Sequence, residues 1–476
     1  MKLFIMRTAP VLGLLGLGLA GCQPDIEAPS VSAGSANFSS YISVGNSLTA
    51  GYADGGLYRE GQLSSYPSIL AGQFAQVGGG AFVQPLFAEA QSNGSGYLKL
   101  TGFTPAGSPT TAAVTTNLAV RGGTAAAPLY TKFTDPVNNL GVPGIRMSDI
   151  LTPGYGSTAG NPYFERLTPD ATPFQTYLQR VQATVAALKP TFFTEWLGNN
   201  DVLGYATAGG ASSTLTPTAT FTTNTNQVLD ALVADGAKGV VATIPDVTGI
   251  PFFTTVGPSL KATLLAANVP GLVIMTGSAP GGPGTPNRKQ IATADIRDAA
   301  GGRQLFTLTS AAFLGLLNQP TDLPWRYIYS LSGQPAAGYP LFLSAYGIDP
   351  TKPFGADPAN PIPSAFVLDD VEQGLTVSAT NAFNAALISA ANARGLAVFD
   401  ANVFFRSVST NGIQTNGVNN TAGYLSGNLF GLDGVHPTPR GYAVIANEML
   451  KVINAKYGSS FTGVNPNNYR GVIFPL

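Results

Sequence analysis

The chain has 476 residues, with 24 Lys+Arg against 25 Asp+Glu and a net charge of −1. That balance excludes the basic footprint of a nucleic-acid-binding protein, and 44% hydrophobic residues exclude a globally disordered one. One His and one Cys exclude an intrachain disulfide and any metal site built on two or more His ligands, and no metal or cofactor is expected.

Lys2 and Arg7 form a basic start, followed by the short apolar run 10-PVLGLLGLGLA-20. The run is too short to span a bilayer comfortably and reads as a secretory signal over 1–21. The sequence 19-LAGC-22 resembles a bacterial lipoprotein box. The resemblance implies cleavage before Cys22 and a diacylglyceryl group on its sulfur. Several acyl chains on one residue anchor a protein stably. The expectation is an exported lipoprotein, held through Cys22 at the outer membrane or cell surface. By the same resemblance, Gln23 is not the usual inner-membrane retention residue. Residues 22–37, rich in Pro, Ser, Ala and Gly, read as a flexible tether.

The folded part is expected over 38–476. A strand, 40-SYISVG-45, leads directly into Asn46 and Ser47. Residues 78–136, rich in Gly, Thr, Ala and Pro, break the pattern and read as an insertion. In 138-NNLGVPGIRMSDI-150, Gly141 and Gly144 flank Pro143 ahead of an expected helix. In 173-PFQTYLQRVQATVAALK-189, Phe174, Tyr177, Leu178, Val181, Val185 and Leu188 recur at three- and four-residue steps. That spacing predicts a helix with Thr172 as cap and Pro173 in the first turn. Strand 191-TFFTEWLG-198 follows, then the polar turn of 197-LGNNDVLG-204.

Helix 224–236 and strand 239-GVVATI-244 repeat the unit. Residues 246–365 form a second expected insertion lying over the sheet; a small second domain in 250–365 is the other reading. Its apolar burst 305-LFTLTSAAFLGLL-317 reads as packed core rather than acyl pocket or lid. A long helix over 370–395, strand 396-LAVFD-400 and a last helix over 439–458 close the chain. Helices alternating with short, nearly all-apolar strands predict a parallel sheet covered on both faces. Ligands in such sheets bind beyond the carboxyl ends of the strands, where Ser47 and Asn200 fall.

A serine nucleophile needs a proton acceptor with a pKa near neutrality. The single His, His436, lies in 431-GLDGVHPTPRGY-442 at the entry to the last helix, three positions after Asp433. A carboxylate that close can hold the imidazole and stabilise its charged form. Acyl transfer also needs donors for the developing oxyanion. Asn199 and Asn200 follow an apolar strand, and Gly144 precedes a helix. Both stretches read equally as ordinary turns.

GNSLTAGY, NLGVPG, GNND and DGVHPT occur in the order of the four sequence blocks of the GDSL, or SGNH, hydrolase family, which the chain resembles. The resemblance implies a flavodoxin-like three-layer α/β/α sandwich with a parallel sheet, here with two large insertions. It implies ester hydrolysis, as in esterases, lipases and carbohydrate deacetylases. Ser47 would be the nucleophile, His436 the general base and acid, and Asp433 its orienting partner. The N–H groups of Ser47 and Gly144 and the side-chain amide of Asn200 would form the oxyanion hole, Asn199 being the alternative register. Asn46 stands where the family name has Asp. The expected function is a serine ester hydrolase acting on a lipid or an acetylated glycan. The alternative is a catalytically silent lipoprotein that binds carbohydrate or lipid on the same fold.

Overall fold

The computed structural model describes residues 30–475, apart from 106 and 278–286. The expected signal segment, Cys22 and the tether as far as 29 lie outside the described residues. The rest of the expected tether, 30–37, is not a free linker. Ser35 N–H donates to the Tyr457 carbonyl at 2.7 Å, Ser32 N–H to Ser460 Oγ at 2.8 Å, and Ala36 is buried. Its small residues let the backbone lie against the end of the last helix; Gly34, at φ +61°, has Tyr457 O 2.2 Å from where a Cβ would stand.

Five strands form the central sheet: β1 (Tyr41–Gly45), β2 (Asn139–Gly141), β3 (Phe192–Trp196), β4 (Lys238–Ala242) and β5 (Ala397–Phe399). Their order is β2-β1-β3-β4-β5 and every pairing is parallel. The helices that matter for the site are α1 (Ser47–Ala50), α2 (Tyr66–Phe74), α3 (Tyr177–Leu188), α4 (Asn199–Thr207), α5 (Thr218–Val233), α6 (Pro251–Thr254), α7 (Asp370–Ala393) and α8 (Pro439–Tyr457). One face of the sheet buries Ile42, Val44, Phe193 and Val241 against α3, α5 and α7. The other buries Tyr41, Phe192, Trp196 and Val240 against α2 and α8. The result is a three-layer α/β arrangement. Its strands read as continuous apolar runs because both sides of each are covered.

Two helix starts differ from expectation. α3 begins at Tyr177, not Pro173. Thr176 and Gln179 form a reciprocal capping box, with bonds of 3.2 and 2.9 Å, and Phe174 is left 72% exposed. Two backbone N–H groups satisfied at once outweigh the preference for Pro in a first turn. α5 begins at Thr218, ahead of the expected 224, because Phe221 packs against Phe383 of α7 at a centroid distance of 4.1 Å.

The segment 78–136 forms two hairpins, Leu98–Phe103 with Pro109–Ala113 and Val120–Gly123 with Pro128–Tyr130. The segment 246–365 builds a hydrophobic cluster of its own around Leu260, Ile274, Phe306, Phe354 and Ile362. The run 305–317, expected as packed core, is so at its start, Leu305 joining the main sheet cluster and Phe306 this one, while its later part only half-buries itself against this cluster. Leu305 and Phe306 are buried, and Leu308, Phe313, Leu314, Leu316 and Leu317 pack against it.

Glu195 lies inside the sheet on β3, paired in register with Val44 and 1% exposed. Its Oε1 accepts the Leu197 N–H at 3.0 Å. Burial pushes its carboxyl up to about 8, against which that one bond does little. A raised carboxyl contributes stability that is full below its unfolded value, about 4.3, and is lost as pH rises through its folded value. Asp201, raised to about 6 chiefly by burial, acts in the same direction over a narrower window. Glu195→Gln keeps the acceptor and removes the titration. Its Tm is expected to fall less than the wild type's between about pH 5 and about pH 8.5. An unchanged pH slope in thermal denaturation would contradict this.

Candidate active site

β1 ends at Gly45, where a Cβ would stand 2.0 Å from Thr49 Oγ1. That close approach lets α1 start at once. Asn46 caps it, its Oδ1 accepting the Leu48 N–H at 3.0 Å, and Gly51, at φ +83°, ends it. Ser47 is therefore the first helical residue, held at the carboxyl end of β1 and 7% exposed. At the other end of the chain, Thr438 caps α8 through a 3.1 Å bond from the Gly441 N–H. The loop before that cap carries Asp433 and His436.

These ends meet. His436 Nε2 lies 2.9 Å from Ser47 Oγ, and His436 Nδ1 lies 2.7 Å from Asp433 Oδ2. Asp433 Oδ1 accepts the N–H groups of Val435 and His436, each at 2.9 Å, and Oδ2 also accepts the Gly55 N–H at 2.9 Å. Burial alone would raise the Asp433 carboxyl. The neighbouring imidazole and these bonds outweigh it and hold the group below the usual carboxylate range. Tyr52 packs against the imidazole at a centroid distance of 4.5 Å, and Tyr442 of α8 donates to the Tyr52 carbonyl at 2.6 Å.

A second arm comes from the neighbouring strands. Gly144, after β2, has φ +82°, a conformation that glycine adopts without strain. Asn200, in the first turn of α4, donates from Nδ2 to the Ile145 carbonyl at 2.9 Å and lines the same cleft as Gly144. Asn199 is buried, so of the two registers it is Asn200 that reaches the cleft. Asp201 pins the loop beyond Gly144: it accepts the Met147 N–H at 2.6 Å, the Ser148 N–H at 3.3 Å and the Thr216 hydroxyl at 2.6 Å. Among the described residues the N–H groups of Ser47 and Gly144 have no partner. Gly144 and Asn200 line the cleft that His436, bonded to Ser47 Oγ, also lines.

The cleft measures about 500 Å³. His436 and Asp433 lie on its wall beside Tyr52, Val435, Leu203 and Phe252, with Thr207, Ser213 and Arg146 as polar lining. Arg146 is paired with Asp149, through Nε at 3.2 Å and Nη2 at 3.0 Å. Phe252 comes from α6 in the large insertion, fixed by a 2.9 Å bond from its N–H to the Gly434 carbonyl. All five site residues expected on the fold, Ser47, Gly144, Asn200, Asp433 and His436, are brought together here. Sequence reasoning missed Tyr52, Arg146 and Phe252, which no local pattern singles out. It also missed the Asp54–Gly55 turn, which the Asp-Gly dipeptide signals. Among the described residues no cluster of three or more His, Cys, Asp or Glu is placed to hold a metal ion.

No protein-family model, no curated protein and no solved structure matches the chain.

Asp201→Ala would leave the buried Met147 N–H, the half-buried Ser148 N–H and the Thr216 hydroxyl without this acceptor. The variant is expected to lose roughly 2–4 kcal/mol of stability in denaturant unfolding. Faster hydrogen exchange should appear at the Met147 amide first. Wild-type exchange there would show that the loop is held by something else.

Proposed function

We propose that the chain is a serine ester hydrolase of the SGNH type, on a flavodoxin-like frame. The observation that carries this reading is the unbroken hydrogen-bonded chain from Ser47 through His436 to Asp433. His436 Nε2 takes the Ser47 proton as Oγ attacks the ester carbonyl carbon. The imidazolium is held through Nδ1–H by ionised Asp433, which stays deprotonated. The carbonyl oxygen becomes an oxyanion and is received by the Ser47 and Gly144 N–H groups and Asn200 Nδ2. Collapse breaks the C–O bond to the leaving alcohol, which His436 protonates. Water, deprotonated by His436, then attacks the acyl-enzyme. The carboxylic acid leaves and Ser47 Oγ recovers its proton.

The cleft supports a small acyl group more than a long chain. Its apolar wall amounts to Leu203, Phe252, Val435 and Tyr52, while Arg146, Thr207 and Ser213 suit an oxygen-rich carrier. Both an acetylated glycan and a short-chain lipid ester meet that description. In a nitrophenyl ester series the shortest chains are expected to react fastest.

An active-site-directed fluorophosphonate is the direct test. It is expected to label the wild type and not Ser47→Ala. His436→Ala and Asp433→Asn should label about 10³-fold more slowly or worse. Equal labelling of Ser47→Ala, or none of the wild type, would overturn the assignment.

The lipoprotein reading of 19-LAGC-22 rests on the sequence alone. With Cys22→Ala, expressed in a bacterial host, the expected outcome is loss of acyl labelling and an unprocessed or soluble product. A processed, membrane-retained variant would refute it.

A further inference from the structure

Residues 53-ADGG-56 form a tight hairpin turn that the mechanism above does not use. Ala53 and Gly56 exchange two backbone hydrogen bonds of 2.9 Å, and the central residues Asp54 and Gly55 have φ of +52° and +79°. Two positive φ values in a two-residue loop are the mark of a type I′ turn, and Asp-Gly is a favoured pair for it. The turn follows Ser47 by a few residues, across α1, and it faces the loop that carries Asp433.

Two bonds cross that gap. Asp54 Oδ1 accepts the Leu432 N–H at 2.9 Å, and the Gly55 N–H donates to Asp433 Oδ2 at 2.9 Å. Asp433 Oδ2 is the oxygen that meets His436 Nδ1. The bonds to Asp433 from Val435 and His436 N–H fix the carboxylate only relative to its own loop. The turn fixes that loop relative to the segment bearing the nucleophile. The approach is close: a Cβ at Gly431 would stand 2.7 Å from Asp54 Oδ1.

Asp54 is itself buried, at 3% exposure, and its charge is answered from behind. Its Oδ2 accepts the Tyr58 hydroxyl at 2.9 Å and faces Arg470 Nη2 at 3.5 Å. Arg470 in turn bonds Tyr58 at 2.7 Å and Glu60 at 2.7 and 2.9 Å. Its carbonyl accepts the Arg440 N–H, at 2.9 Å, in the first turn of α8. A tail residue is thus joined to the turn, and through the turn to the catalytic loop.

We propose that Asp54 is a positioning residue for the Asp433–His436 arm and that Arg470 is its tether. The inference rests on the hydrolytic reading above. Without Asp54 the loop loses the bond at Leu432 and its register to Gly55, and the imidazole leaves the line to Ser47 Oγ. Of the cleft wall, Leu203, Thr207 and Arg146 lie off this loop, whereas Val435 is on it and Phe252 is bonded to its Gly434 carbonyl. The larger part of the loss therefore falls on kcat, with KM little changed.

Three variants of the full mature chain test this with a short-chain nitrophenyl ester. Asp54→Gly keeps the positive φ and removes the carboxylate; kcat is expected to fall roughly 30-fold with KM within about twofold. Asp54→Asn keeps the Oδ1 acceptor and tolerates the turn, so it is expected to restore kcat to within about threefold of wild type. Arg470→Met should lower kcat about fivefold, again without a change in KM, and it carries the same test if Asp54→Gly does not fold. Unchanged kcat in Asp54→Gly or Arg470→Met overturns the proposal, as does a KM-only effect or an Asp54→Asn variant as slow as Asp54→Gly. A wild type that neither turns over ester nor takes the fluorophosphonate overturns the hydrolytic reading and this proposal with it. Full wild-type labelling beside an indifferent Asp54→Gly overturns the positioning role alone.

Discussion

Burial of the last helix against the sheet is the interaction on which the site depends. Ser47 and His436 are 389 positions apart. Closing a loop of that length costs about 5 kcal/mol of chain entropy. The hydrogen bond between the two side chains contributes roughly 1 kcal/mol and cannot hold the ends together. α8 does so, by burying Tyr442, Ile445, Met449, Leu450 and Ile453 on the side of the sheet that carries Phe192 and Trp196. Each such side chain contributes roughly 1.5–3 kcal/mol. The contact between serine and histidine is a consequence of packing, and the chemistry rides on a hydrophobic layer several times stronger than itself.

The strand order then explains why the other groups arrive at the same place. The chain begins the sheet at β1, adds β2 on one side, and reverses to add β3, β4 and β5 on the other. Ser47 leaves β1, Gly144 follows β2 and Asn200 follows β3, so three successive carboxyl ends open onto one crevice at the reversal. The large insertion departs after β4 and returns at α7, and its first helix places Phe252 on the wall of that crevice. The chain Ser47–His436–Asp433 is carried by the frame, whereas the shape of the cleft is shared with the insertion. The insertion packs around a hydrophobic cluster of its own.

The frame was legible because its signals are local and periodic. Strands covered on both faces read as apolar runs, and helices such as Asp370–Ala393 show their own caps. The start of α3 was misjudged because two competing caps lie four residues apart, and only tertiary packing decides that Phe174 stays outside. His436 was legible by elimination, since one histidine leaves one candidate base, whereas Ser47 was singled out by its place after the first strand and by the resemblance of GNSLTAGY to the family's first block. Asn200 was favoured over Asn199 by the resemblance alone, because neighbouring turn residues differ only in direction and nothing local separates them. Phe252 and Arg470 were invisible for a deeper reason. Each acts through a contact with a segment distant in sequence, and no periodicity encodes such a contact in a single chain.

Asn46 is the position where the first sequence block departs from the family it resembles, and its surroundings give that departure a physical sense. The residue is wholly buried, and its Oδ1 caps α1 at the Leu48 N–H, leaving the Ser47 N–H without a partner. A carboxylate would supply the same acceptor, but as a charge. On the adjacent strand the buried acid Glu195 lies in register with Val44, two residues before Asn46. Glu195, its carboxyl pushed up to about 8 by burial, is itself largely neutral at neutral pH, and a second buried carboxyl there would be raised by desolvation in the same way. It would also set a negative charge one residue from the N–H assigned to a developing oxyanion. An amide keeps the cap and the free Ser47 N–H without adding a charge, and it leaves its own buried Nδ2 without a hydrogen-bond partner among the described residues.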